Sequence, residues 1–276
     1  MLATLVIFLR EGVEASMIVA ILLAYLNRTD QRRYFRDVYL GVGAALLLAA
    51  GGGLIAYLTI RTYAGSRVQT IFETGTYLLA AVILTYMTFW MRSHARGLKS
   101  ELQSRADSAM TRGARTGLAL LAFQAVGREG LETVVFTLAI AFSTRHPGNL
   151  LLGAVIGLAI ALAIAFAMYR LGHRINLGRF FMVVGSLLMI FAAGLLVDAV
   201  QNMQELGWLP VATHPLWHTG DILNEDSAVG DIAHTFFGYA QSPTVLQALV
   251  YVLYLAVVLL AFFGVWRRFI PRRPAH

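Results

Sequence analysis

The sequence contains no cysteine, and only 13% of its 276 residues are charged. The lack of cysteine excludes disulfides, thiolate metal sites, iron–sulfur clusters and covalently attached haem, so any metal must bind to oxygen or to imidazole nitrogen. A soluble protein of this length has about 25% charged residues. The shortage of charge, together with 58% hydrophobic residues, predicts an all-α protein that lies almost wholly within a membrane.

Seven long apolar runs follow one another along the chain, and polar connections separate them. Each is close to the roughly 20 residues that a helix needs to cross a bilayer. The first run carries Arg10, Glu11 and Glu14, and no basic segment precedes it. We therefore interpret it as a transmembrane helix rather than a cleavable signal peptide. The seven runs are residues 2–26, 38–60, 70–91, 116–142, 150–169, 180–202 and 245–266.

Basic residues are concentrated in alternate connections. Residues 27–37, 92–115 and 170–179 and the tail after residue 266 contain seventeen of the lysines and arginines, whereas the connections on the other side contain three. Basic loops stay in the cytoplasm, so we expect the N-terminus outside the cytoplasmic (inner) membrane and the C-terminus in the cytoplasm. The net charge of +7 then reflects topology, and we expect no nucleic acid as a partner.

The same charged motif occurs in the first and the fourth apolar runs. It reads Arg-Glu-Gly-x-Glu, at residues 10–14 and 128–132. A charged group within a bilayer costs roughly 2.5–3.5 kcal/mol on insertion scales and typically marks a functional site. Because the first and fourth runs cross the membrane in opposite directions, the two motifs predict a 3+3 inverted repeat, which is a transporter architecture.

We therefore expect one permease domain over residues 1–276, with two repeats and an added seventh helix. Repeat one covers about 1–91, and a cytoplasmic amphipathic linker follows at 92–115. Repeat two covers 116–202, an acidic outer loop covers 203–244, and the seventh helix with a basic tail covers 245–276.

The two motifs predict a cation site. The glutamates of each motif are three residues apart, on one helix face, and each arginine precedes a glutamate by four residues and can pair with it. If the helices face one another, the four carboxylates and two guanidiniums have a formal charge of −2. Carboxylates suit iron, Mn²⁺, Mg²⁺ or Ca²⁺, and the arginines would orient them. The alternative is a pair of structural ion pairs. The residues are Arg10, Glu11, Glu14, Arg128, Glu129 and Glu132.

Other polar residues extend this prediction toward both sides of the membrane. Glu73 lies near the outer end of the third run and Asp198 near the outer end of the sixth, where they would form an acidic path that concentrates cations. Gln124 lies one turn before Arg128 and would add to the polar lining. Among the outer-loop histidines His234 is of most interest, because an aspartate precedes it by three residues.

The doubled motif resembles that of the oxidase-dependent iron transporter family, which includes the high-affinity iron permeases of fungi and a bacterial EfeU-type branch. Three further stretches resemble the bacterial branch of this family: residues 71–73 (Ile-Phe-Glu), 84–92 (Leu-Thr-Tyr-Met-Thr-Phe-Trp-Met-Arg) and 237–239 (Phe-Gly-Tyr). The resemblance implies that iron ions are the transported substrate, with no permanently bound cofactor, and that periplasmic iron-oxidising or delivery proteins are partners. It implies that the four motif glutamates bind iron, and it suggests a role for Glu73.

Two alternatives to an iron permease stay open. One is a transporter of another divalent cation such as Mn²⁺, since carboxylates do not choose among these metals. The other is a membrane-embedded metal-dependent hydrolase. Such an enzyme needs a phosphate-binding loop beside the motif, or histidine next to the glutamates as in diiron proteins, and neither occurs in the first or fourth run. We therefore expect that this protein is not an enzyme.

Overall fold

The computed structural model describes residues 1–94, 97–111, 113–144, 148–171, 177–220, 223–225 and 227–263. It is 84% helical, and these residues contain no strand. The prediction of an all-helical protein is therefore confirmed. The basic tail predicted after residue 266 lies outside the described residues, as do Arg96, Arg112, Arg145 and Arg174 of the connections.

Nine α-helices make up the described part of the chain, and a short 3-10 helix (Arg32–Tyr34) leads into the second. The predicted linker at 92–115 contains a helix of its own, and so does the outer loop. The helices are α1 (Leu2–Arg28), α2 (Phe35–Arg61), α3 (Arg67–His94), α4 (Leu98–Thr111), α5 (Ala114–Ser143), α6 (Gly148–Leu171), α7 (Leu177–Glu205), α8 (Ala228–Phe237) and α9 (Val245–Phe262).

Five stretches of the described chain, in α2, α3, α6, α7 and α9, are helical, long and apolar enough to cross a membrane. Their outward faces carry large apolar side chains such as Leu47, which is 76% exposed, and Leu151, which is 74% exposed. A soluble protein rarely exposes so continuous an apolar surface, whereas lipid tails solvate it well. The chain is therefore a multi-pass membrane protein.

The long helices pack in pairs. α1 packs along α6, α2 along α5, and α3 along α7, while α1 also contacts α5 and α9 lies against α7. Glycines permit this close approach. A Cβ placed on Gly157 of α6 would lie 2.5 Å from the backbone oxygen of Leu5 in α1. Between the pairs, α1, α3, α5, α7 and α8 enclose the largest apolar cluster, which includes Ile7, Phe136, Phe191 and Phe236.

The short helix α8 is fixed at both of its ends. The hydroxyl of Ser227 accepts a hydrogen bond from the backbone N–H of Gly230 at 2.9 Å, which is an N-cap. Gly238 follows the last turn with φ of 67°, a left-handed conformation that glycine adopts without strain. The helix packs against α7. These caps and contacts hold the side chains of α8 in place beside the C-terminal half of α7.

Candidate metal-binding site

The motif of α1 is buried in the protein. Arg10, Glu11 and Glu14 are only 2%, 3% and 3% exposed. The Nε of Arg10 donates a hydrogen bond to Oε1 of Glu14 at 3.0 Å, and its Nη1 lies 3.1 Å from Oε1 of Glu11. One guanidinium therefore contacts both carboxylates of its own helix, and its contact with Glu14 follows from the spacing of four residues.

The motif of α5 has the same internal pairing in a different environment. The Nε of Arg128 donates a hydrogen bond to Oε1 of Glu132 at 3.0 Å. Yet the side chain of Arg128 is 42% exposed. Its guanidinium carbon lies 4.9 Å from the ring centroid of Trp90 on α3, and it also contacts the sulfur of Met87. This cation–π contact holds Arg128 against α3, so the two arginines are not equivalent in the folded protein.

Carboxylates from the two motifs meet where α1 crosses α5. Glu11, Glu14 and Glu129 each offer an oxygen, and these oxygens lie within 4.8 Å of one another. We call these three residues the glutamate cluster. Glu132, which is 8% exposed, is held by Arg128.

Several carboxylate oxygens of these motifs lack a hydrogen-bond partner among the described residues. They are both oxygens of Glu11, of which Oε1 has only its ionic contact with Arg10, Oε2 of Glu129 and Oε2 of Glu132. A buried polar atom left unpaired costs about 1–3 kcal/mol, and more when it is charged. A bound cation would satisfy several of these oxygens at once. The arrangement is therefore poor as a structural core and well suited to a cation.

The glycine of each motif permits a neighbouring helix to approach the cluster. A Cβ on Gly12 would lie 2.8 Å from the Cβ of Ala161 in α6, and a Cβ on Gly130 would lie 2.9 Å from the Cβ of Ala49 in α2. Both distances are shorter than real Cβ contacts, so a side chain there would push the helices apart. These glycines thus have a packing role on the face opposite the carboxylates they separate.

A cavity of about 170 Å³ extends from the glutamate cluster toward α4. Glu14 and Glu129 line it near the cluster, and Glu101 lines it at α4. Arg128 and Gln124 also line it. The cluster therefore has a partly polar connection to the side of the protein on which α4 lies.

Glu73 and Asp198, the two other predicted acidic residues, do not belong to the cluster. Oε1 of Glu73 accepts a hydrogen bond from Nε2 of Gln69 at 2.6 Å, near the start of α3. Asp198 is 7% exposed, and its Oδ2 accepts a hydrogen bond from the hydroxyl of Ser143 at 2.7 Å. Both lie nearer to the ends of α3 and α7 that face away from α4.

Sequence reasoning did not single out the residues that contact the predicted site residues, among them Trp90 and Ser143. Trp90 stacks on Arg128, and Ser143 donates to Asp198. An aromatic residue at the end of an apolar run usually marks the membrane interface, so nothing in the pattern distinguished Trp90. Ser143 is the last residue of α5, and only the packing of α5 against α7 gives it a partner.

Comparison with known proteins identifies the family to which these motifs belong. The family described as iron permease FTR1 matches residues 1–272 of the chain. The chain belongs to the iron permease FTR1 family.

Several relatives are named ferrous iron permease EfeU. The chain is 37% identical to the one from Escherichia coli strain UTI89 over 264 residues, which cover 95% of each chain. The same identity and coverage hold for the protein of Shigella sonnei. The Yersinia pestis protein is 34% identical over 265 residues, which cover 95% of this chain and 93% of that protein. No solved structure matches the chain.

The prediction of an iron permease is thereby confirmed, since the match to the family extends over nearly the whole chain. The family consists of permeases, which favours transport over the hydrolase alternative. Iron is accordingly the transported substrate.

Proposed function

We propose that iron crosses the membrane by binding to the glutamate cluster. The observation that carries the proposal is the convergence of Glu11, Glu14 and Glu129 from two helices to within 4.8 Å, all three buried. Oxygen ligands of this kind bind iron, Mn²⁺ or Mg²⁺ by replacing hydration water. Glu132 stands beside the cluster and completes the set of four glutamates as a further ligand when its bond to Arg128 opens.

The arginines balance the charge of this site without closing it. The four carboxylates and two guanidiniums of the motifs have a formal charge of −2, which a divalent ion neutralises. Arg10 is buried and orients Glu11 and Glu14 through its contacts with their carboxylates. Residues that contact metal ligands without binding the metal commonly orient those ligands in this way. Arg128 orients Glu132 from the cavity side.

In this conformation of the protein, the glutamate cluster is open toward α4. The cavity lined by Glu14, Glu129 and Arg128 gives the ion a route to that side. On the opposite side the apolar cluster begins one turn beyond the motifs, at Ile7 of α1 and Phe136 of α5, and it excludes water. We infer an inward-facing state, because α4 is in the basic linker that we assign to the cytoplasm. In the outward-facing state Glu73 and Asp198 would lead the ion to the cluster.

Contacts between the helices support an inverted repeat of α1–α3 and α5–α7. α1 packs on α6 as α5 packs on α2, and α1 contacts α5. Single contacts correspond as well. A Cβ on Gly153 would lie 2.4 Å from the backbone oxygen of Met1, and a Cβ on Gly41 would lie 2.1 Å from the backbone oxygen of Ala119. The approach of Gly12 to α6 corresponds in the same way to that of Gly130 to α2. Such repeats exchange two related conformations around a central site.

We further propose seven spans, by adding α1 and α5 to the five apolar helices. They are 27 and 30 residues long, which is enough to cross a bilayer, and apart from Arg28 and Arg115 near their ends their charged residues are those of the motifs. Seven spans agree with an N-terminus outside and a C-terminus inside the cytoplasmic membrane. An extracytoplasmic iron-oxidising or delivery protein would then meet the acidic outer segment. The names of the relatives favour Fe²⁺ as the ion that crosses.

Uptake into proteoliposomes tests the proposal. Glu14→Gln and Glu129→Gln keep the side-chain volume and remove a ligand charge, so we expect each to lower the initial rate of Fe²⁺ uptake by at least about tenfold. Asp30→Asn, at an exposed carboxylate after α1, is the matched control and should transport as wild type does. Uptake at the wild-type rate by both glutamine variants would show that the motifs are structural ion pairs.

Two further arms of this experiment address the substrate. Fe³⁺ held soluble by a chelator is compared with Fe²⁺ kept reduced, and Mn²⁺ is added in excess over Fe²⁺. The oxygen ligands of the cluster suit Mn²⁺ as well, so strong competition by Mn²⁺ would favour a broader divalent transporter.

A further inference from the structure

A histidine and an aspartate face one another apart from the glutamate cluster. The Nε2 of His234 on α8 lies 3.7 Å from Oδ1 of Asp198 on α7. Asp198 is 7% exposed and the side chain of His234 is 14% exposed. A separation of 3.7 Å is too long for a hydrogen bond, and Oδ1 of Asp198 has no hydrogen-bond partner among the described residues. The buried oxygen thus points at the ring nitrogen without bonding to it.

The other ring nitrogen of His234 already has a partner. Nδ1 lies 2.8 Å from the backbone oxygen of Tyr239. A carbonyl oxygen only accepts, so Nδ1 carries the hydrogen, and in the neutral ring Nε2 holds a lone pair that faces Asp198. Two acceptors that face each other in a buried place repel one another, and either a proton on Nε2 or a metal ion between them removes the repulsion. Histidines that bind metals commonly donate their second N–H to a backbone carbonyl in this way.

Hydroxyl groups of two neighbouring residues hold Asp198 and the helix that carries His234 in place. Ser143 at the end of α5 donates to Oδ2 of Asp198 at 2.7 Å, which leaves Oδ1 turned toward the histidine. Thr144 donates to the two carboxylate oxygens of Asp231 at 3.0 and 2.9 Å. Asp231 lies one turn before His234 on α8, so this contact holds α8 in position against α5. The two facing groups are therefore ordered before any ion arrives.

We propose that Asp198 and His234 form a second metal-binding site, which the transported ion occupies before it reaches the glutamate cluster; this rests on the proposed function. Nitrogen and oxygen ligands lie about 2.0–2.2 Å from a divalent transition metal, so two of them on one ion are roughly 3–4 Å apart. The observed 3.7 Å agrees with that spacing. With two protein ligands, water fills the remaining positions, and the ion is released readily.

The imidazole gives this site a selectivity that the glutamate cluster lacks. Imidazole suits iron and other transition metals, whereas Mg²⁺ and Ca²⁺ prefer oxygen ligands. Neither α1 nor α5 contains a histidine, so the glutamate cluster offers oxygen alone. The Asp198–His234 site therefore discriminates iron from Mg²⁺ and Ca²⁺ before the ion enters the membrane interior.

Pulsed EPR of bound Mn²⁺ tests the site directly, in purified full-length protein without a histidine tag. Coupling of the Mn²⁺ electron spin to a nitrogen nucleus reports an imidazole ligand. We expect this coupling in wild type and in Glu129→Gln, and its loss in His234→Gln. His218→Gln is the matched control, because His218 is an exposed histidine of the same outer segment. Absence of nitrogen coupling in wild type, or its survival in His234→Gln, overturns the proposal.

The same variants separate this proposal from the proposed function. In proteoliposomes we expect His234→Gln to raise the half-saturating Fe²⁺ concentration about 10–100-fold, with a maximal rate within about twofold of wild type and stronger competition by Mg²⁺. A lower maximal rate at unchanged half-saturation and unchanged Mg²⁺ competition would instead show an ion pair that gates the protein. If Glu129→Gln transports normally while the nitrogen coupling holds, the glutamate cluster is refuted and the outer site stands.

Discussion

The two arginines of the motifs should respond differently to the same substitution. Arg10 is 2% exposed and contacts Glu11 and Glu14, whereas Arg128 is 42% exposed on the cavity. Arg10→Gln leaves two buried carboxylates without their cation, and breaking a buried ion pair in this way costs about 3–5 kcal/mol. Arg128→Gln leaves one buried carboxylate, that of Glu132, without its partner, and we expect this to cost about 1–3 kcal/mol because the guanidinium itself is partly solvated.

Thermal unfolding in detergent measures this difference. We expect Arg10→Gln to lower Tm by roughly 10 °C, at about 2–4 °C per kcal/mol for a chain of this size, and Arg128→Gln to lower it by roughly 5 °C. Arg105→Gln is the control, because Arg105 forms an exposed pair with Glu101 at the same spacing of four residues. Equal losses of Tm for Arg10→Gln and Arg128→Gln would refute the argument from burial.

Further substitutions test the contacts between the helices. Gly130→Ala should destabilise the protein by about 1–3 kcal/mol through overpacking against Ala49, and Ala49→Gly should restore stability in the double variant. Gly127→Ala should be neutral or stabilising, because its Cβ would lie 3.7 Å from the nearest side chain; a Tm loss equal to that of Gly130→Ala would contradict the steric reason. Tyr25→Phe removes the hydrogen bond from Tyr25 to Asp107. We expect faster amide hydrogen exchange in α4 with little change in Tm. Unchanged exchange would mean that this bond does not hold α4.

The helices and the pairing within each motif could be predicted from local sequence. The apolar runs correspond to seven of the observed helices. At most of their ends, these helices extend up to three residues beyond the predicted run. The predicted partners Arg10 and Glu14 are hydrogen-bonded at 3.0 Å. Such features depend on helical periodicity and hydropathy, which neighbouring residues along the chain define.

The outer segment could not be predicted to the same degree. Asp231 and His234 are three residues apart, and the sequence pointed to that pair. In the structure Asp231 bonds to Thr144, and His234 faces Asp198 instead. The described residues between α7 and α8 form no helix or strand, and the caps of α8 and its packing against α7 fix which residue faces which. No periodic pattern encodes that choice.

The sequence by itself determined that this protein is a helical membrane protein, that it carries two matching charged motifs, and that each motif pairs internally. Only the tertiary structure decided that Arg10 is enclosed while Arg128 lies on a cavity against Trp90, and that Glu129 joins Glu11 and Glu14. The reason is that hydropathy and helix spacing act along one chain segment. Which faces of α1 and α5 remain to meet depends on the close approach of α6 at Gly12 and of α2 at Gly130, and these approaches exist only when the helices have packed.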